Sequence, residues 1–284
     1  MRSRRTFVLA FSIVLLLLPT VVQADDALSG AMLHAEGKAL LAKADFDGAL
    51  ARYLAAARAA PGNPTFRQDA LVLKRVVAQR KALDAPKRHP KWEGIAMSLH
   101  AFYLEHDLSG EAVALGRRGL KLLANGAAEN RLAEALLEAG RDADALKLLT
   151  AKPTWTRDVR SRIFHGVALA RTAQLKQATA LAKTVKLPPK ADHRLLRDAA
   201  RLEAVLGQEA RAAAWLVKAF EATPVANLPA FKAAVRTHAD FRRVLAGPAM
   251  TKAFATQSKQ KALGCSGASD CGSCPKRGGC GGKN

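Results

Sequence analysis

The sequence predicts an all-α chain, an α-solenoid of stacked helical hairpins, and three observations carry that prediction. Ala112, Ala145, Ala178 and Ala212 recur at intervals of 33, 33 and 34 residues, and Ala49 lies 63 residues upstream of Ala112, about two periods away. A period near 34 with small residues at fixed offsets is the mark of repeated helix pairs, where one helix needs room to cross another. The second observation is a glycine at two of the turns: Gly140 and Gly207 each precede a periodic alanine by five residues. The third is that no segment alternates apolar and polar residues in the manner of a half-buried strand.

The elements follow in order. The clearest unit runs from Leu33 to Ala57 and closes with Pro61-Gly62-Asn63-Pro64. Gly37 offers close helix contact, Asp45-Phe46-Asp47 marks the turn, and Ala49, Tyr53 and Ala56 share one face of the second helix. These residues resemble a tetratricopeptide repeat. Ala212, Leu216, Ala219 and Pro224 reproduce the spacing of Ala49, Tyr53, Ala56 and Pro61, and Gly166 precedes Ala178 by twelve residues as Gly37 precedes Ala49. Between the first unit and Ala112, the residues Phe66, Ala70, Leu73, Val76, Val77 and Leu83 form one helical stripe followed by Pro86 and Pro90, read as a degenerate or merged repeat. Around Ala112 the second helix carries Gly116 and Gly119, each costing about 1 kcal/mol against alanine in a helix. The resemblance covers roughly residues 30–226.

After Pro224 the pattern stops. Phe231, Val235, Phe241, Leu245 and Phe254 supply apolar anchors for short helices that would cover the open end of the stack. His238-Ala239-Asp240-Phe241 resembles the endings that close bacterial arrays of this kind. The expected organisation is a leader at 1–24, the repeat domain with its cap at 25–248, a linker or helix at 249–263 and a cysteine-rich tail at 264–284.

Arg2, Arg4 and Arg5 precede an apolar run from Phe7 to Leu18, and Val22-Gln23-Ala24 offers small residues before Asp25-Asp26. Those zones describe a cleaved secretory signal peptide, and hence a periplasmic or secreted protein with no stable membrane insertion after cleavage. Ser3-Arg4-Arg5-Thr6-Phe7 leaves a twin-arginine route open, although the leucine-rich core suits the general secretory route better.

Loss of the leader removes three arginines and no acid, so the net charge falls from +21 to +18. Such a balance points to an anionic partner: an acidic protein, anionic lipid or cell-wall polymer. Aromatic residues at 5% and the absence of a nucleic-acid motif argue against nucleic acid. Arg194, Arg197 and Arg201 are spaced to share one helix face, opposite Leu195, Leu196, Ala199 and Leu202. In the resembled family the exposed side of the first helix of each pair lines a peptide-binding groove. The equivalent places hold His34 and Lys38 in the first unit and Arg160, Val167 and Arg171 in the fourth. That lining would suit a protein or peptide rich in carboxylates, because guanidinium forks pair with them bidentately. The family's carboxylate-clamp version also uses asparagine, which these places lack.

All four cysteines fall near the end, as Cys265-x5-Cys271-x2-Cys274-x5-Cys280. Two disulfides or a zinc site made by the same four thiolates both fit the spacing, and the second would make the chain a metal- or redox-handling accessory protein. No catalytic role is expected: His100, His106 and His165 lack ligand spacing, and no nucleophile elbow, phosphate loop or dinucleotide fingerprint occurs.

Overall fold

In the computed structural model, residues 28–85, 89–151 and 158–260 are described. Among them are thirteen α-helices and no strand. The chain divides into two compact units, Met1–Ala139 and Gly140–Asn284.

Unit 1 comprises α1 (28–42), α2 (Phe46–Ala59), α3 (Pro64–Asp84), α4 (Trp92–Glu105), α5 (Ser109–Leu123) and α6 (Gly126–Glu138). Unit 2 comprises α7 (Asp142–Thr150), α8 (Val159–Arg171), α9 (Leu175–Thr184), α10 (His193–Val205), α11 (Glu209–Ala222), α12 (Leu228–Thr237) and α13 (Pro248–Phe254). One turn design recurs in both. Residues Ala44, Asp107, Ala173 and Gly207 adopt left-handed backbone, and Gly140 does the same before α7. Around the first four, paired hydrogen bonds close the preceding helix: Asp45 N–H donates to Leu40 and Ala44 N–H to Leu41, and the same pair recurs at Leu108, Gln174 and Gln208. Five residues beyond each of these five positions stands a periodic alanine. Ala49, Ala112, Ala145, Ala178 and Ala212 are all 0% exposed.

Helix starts divide by position in the pair. Asn63, Asn125, Asp158 and Asp192 each cap α3, α6, α8 and α10 by accepting a backbone N–H with the side chain. The helices that leave a tight turn, α5, α7, α9 and α11, begin without a side-chain cap. Two helices depart from this: Asp45 caps α2 by accepting from Gly48 N–H at 2.9 Å, and α4 begins without a side-chain cap.

Two irregularities of the sequence resolve into packing. The expected merged repeat is a single helix, α3, whose buried residues are Phe66, Ala70, Leu73, Val76, Val77 and Leu83. In α5, a Cβ on Gly116 would lie 2.9 Å from Leu132 Cα, so glycine there is what lets α5 and α6 meet. The helix-propensity cost is offset by that close approach.

At the end of unit 2 the segment read as a linker or helix begins with α13. Met250 and Ala253 of α13 are fully buried in a cluster with Leu216, Phe220, Val235, Phe241 and Val244. Beyond α13 the chain stays docked: Lys232 Nζ donates to the carbonyls of Phe254 and Thr256, and Lys259 N–H donates to Glu221. Packing and hydrogen bonds therefore tie residues 249–259 to the end of unit 2. Among the described residues no helix is long and apolar enough to cross a membrane.

Candidate functional site

Unit 2 holds all five arginines expected to line a groove, and the structure gives them different fates. Asp240, in the 3-10 turn Ala239–Phe241 of the cap, is the centre of the arrangement. Its Oδ2 accepts from Arg201 Nε at 2.9 Å, and its Oδ1 accepts from Arg171 Nη2 at 2.6 Å and Nε at 2.9 Å. Arg171 also reaches Asp142 Oδ1 at 3.0 Å. Burial by itself would push the Asp240 carboxyl up; Arg201 and then Arg171, with His238 beside them, pull it below its ordinary range instead. Arg201 is 1% exposed. It fastens α10 to the cap, and does not line a surface with Arg194.

A second carboxylate gathers two more. Asp198, buried on α10, lies 3.2 Å from Arg160 Nε of α8 and 2.8 Å from Arg197 Nη2. Val167, expected on the groove side of α8, is wholly buried. Of the trio on α10, Arg194 alone is exposed. Its neighbours in sequence, Lys183, Lys186 and Lys190, are exposed too. The acid of that stretch, Asp192, caps α10 through Leu195 N–H at 2.7 Å.

Unit 1 offers a different surface. An open cavity of about 450 Å3 lies among α1, α3 and α4, lined by Lys38, Leu41, Ala42, Tyr53, Asp69, Val72, Leu73, Phe102, Glu105, His106 and Asp107. Lys38 is thus part of a groove, but its company is acidic and apolar. His34, beside it in sequence, is buried between Tyr53 and Phe66 with Nε2 2.8 Å from Asp69 Oδ2. The Tyr53 hydroxyl is pushed up by burial and further by the Asp69 charge. Glu105 and Asp107 escaped the reading of the sequence. The signal available there was an acidic pair at the turn before the Ala112 helix.

The charge difference extends to whole units. The described residues of unit 1 carry 14 Lys and Arg against 12 Asp and Glu, a net of +2. Those of unit 2 carry 20 against 9, a net of +11. Cys265, Cys271, Cys274 and Cys280 lie outside the described residues, as does the leader. Among the described residues no group of three or more His, Cys, Asp or Glu side chains is placed to hold a metal ion.

No protein-family model matches this chain, and no curated protein does. Among solved structures, a tetratricopeptide repeat protein from Parabacteroides merdae ATCC 43184 is similar, at 18% identity and a TM-score of 0.42, with 80% of this chain and 98% of that chain covered. The description of the fold rests on the hairpins themselves.

Proposed function

We propose that this chain is a protein-interaction scaffold, exported through its leader to the periplasm or beyond, that holds an acidic protein or peptide on unit 2. The observation that carries this reading is the surplus of cations there, with Lys183, Lys186, Lys190 and Arg194 exposed along the connection from α9 into α10 and none in an ion pair among the described residues. Stacked helical pairs supply a large rigid surface with no need of a catalytic group. The leader's arginines, apolar core and small residues support export.

The partner face differs from the trio predicted by spacing. Arg194 belongs to it, whereas Arg201 and Arg171 hold Asp240, and Arg160 and Arg197 hold Asp198. Reversing Arg201 would set a carboxylate against buried Asp240 and confuse binding with folding. The informative variant is Lys183→Glu, Lys186→Glu, Lys190→Glu and Arg194→Glu together, with circular dichroism as the folding control. Affinity for a fluorescein-labelled oligoglutamate peptide should fall by about tenfold or more, because several exposed charge pairs change sign. High salt should weaken the wild-type complex as the Debye length drops to about 3 Å at 1 M. An affinity indifferent to both would overturn the acidic-partner reading.

A further inference from the structure

The groove of unit 1 has a floor and a rim of different character. Leu41, Leu73 and Phe102 form buried walls, and Val72, 36% exposed, leaves apolar surface open at the mouth. Its volume of about 450 Å3 falls within the roughly 300–1,000 Å3 typical of pockets that take a small ligand or a few side chains.

The rim is identified by a census of carboxylates. Among the described residues of unit 1, Glu36 pairs with Arg52, Asp47 with Lys81, Asp69 with His34, Asp84 with Arg118, Glu93 with Arg131, Glu111 with Arg80 and Glu134 with His100. Asp45 caps α2, and Glu129 and Glu138 are also engaged. Glu105 and Asp107 stand apart: both are exposed, neither has an ion pair or side-chain hydrogen bond among the described residues, and both line the groove. A second cavity of unit 1, about 150 Å3, also has charged walls, but its Arg80 and Arg118 are matched to Glu111 and Asp84.

We propose that this groove receives a cationic segment of a partner protein, seating an apolar side chain over Leu41, Leu73 and Phe102 and pairing lysine or arginine with Glu105 and Asp107. A segment that covers the floor removes water from those two carboxylates, and a buried carboxylate without donors is costly. An acidic segment would add repulsion to that cost; an arginine supplies a two-pronged donor. Lys38 is the one permanently cationic side chain of the lining, opposed by Asp69, Glu105 and Asp107. The inference rests on the scaffold reading but assigns a second site, opposite in charge preference to unit 2.

The test measures anisotropy of two labelled, end-blocked peptides on the purified chain, one of alternating arginine and leucine, the other of glutamate and leucine. Glu105→Gln with Asp107→Asn should weaken the arginine peptide about tenfold, from two lost charge pairs. Asparagine is chosen because Asp107 has φ +57°, which it tolerates. Lys38→Gln should tighten the same peptide about twofold, while Glu36→Gln, outside the lining, should change nothing. Three results would overturn the proposal. The arginine peptide could bind the double variant as well as wild type, or the glutamate peptide could be the one that Lys38→Gln releases. The third is that neither peptide responds while ultracentrifugation shows the double variant losing self-association, which would make a second copy the occupant. Failure of the unit 2 reading has a separate signature: oligoglutamate binding indifferent to the Lys183-to-Arg194 reversal, with the arginine peptide still sensitive to Glu105 and Asp107.

Discussion

Unit 1 and unit 2 are built with the same turn and the same buried alanine, yet they distribute charge in opposite ways. In unit 1 acids and bases nearly balance, most of the acids are in ion pairs, and the two unengaged carboxylates sit on the rim of an apolar groove. In unit 2 bases outnumber acids two to one, and two of the acids are buried and each gathers two arginines: Asp240 takes Arg171 and Arg201, Asp198 takes Arg160 and Arg197. The lesson is that a surplus of cations in the sequence does not by itself say which of them face outward. Asp240 and Asp198 became structural anchors for the arginines nearest to them, and Arg194, on the same helix, is left exposed.

Neutralising an anchor should have the largest effect. Asp240→Asn leaves two arginines facing an amide inside unit 2, and breaking a buried ion pair in this way costs about 3–5 kcal/mol. Urea unfolding followed through Trp215 would read it. Asp84→Asn in unit 1, whose partner Arg118 is half exposed, should cost under about 1 kcal/mol. Equal losses at the two sites would erase the distinction between the units. The pH dependence has a fixed sign. Because the folded Asp240 carboxyl is depressed, the unfolded chain takes up the proton first. The stabilisation is therefore complete above the unfolded carboxylate value near ~3.9 and is lost as pH falls through the lower folded value. The asparagine variant should lack that acid-side decline.

Overpacking tests the feature the units share. Ala178→Trp places a large ring at a site with no exposure, where overpacking costs about 1–3 kcal/mol or more. The same change at Ala112 should act alike on unit 1. A melting temperature that barely moves would show that the alanine is not at a helix crossing.

The smallest effect has the opposite sign. Ala44 in unit 1 and Ala173 in unit 2 hold left-handed backbone with a Cβ in place. Glycine removes that strain, worth roughly 1–2 kcal/mol, and gives part of it back as unfolded-chain entropy. Each substitution should raise stability by up to about 1 kcal/mol, measured by thermal unfolding. Destabilisation at either would mean the turn is not as described.

The repeat period and the apolar spacing by themselves determined the helices, the turns and the inward faces. Those are short-range properties: a left-handed residue five positions before a small one, or a stripe from Phe66 to Leu83, is settled within a few turns of helix. Even the cap was visible in His238-Ala239-Asp240-Phe241, because an open hydrophobic end must be covered. Only the tertiary structure decided what each charge does. Arg194 and Arg201 stand on one helix and look equivalent by spacing, but Asp240 comes back 39 residues after Arg201 and 69 after Arg171 to claim the inner pair. The same holds for Glu105 and Asp107, ordinary surface acids in sequence. Their distinction comes from what the folding of α1, α3 and α4 leaves beside them, an apolar groove without a cation assigned to either. Coulomb energy depends on distance and on water exclusion, and neither is written in sequence separation.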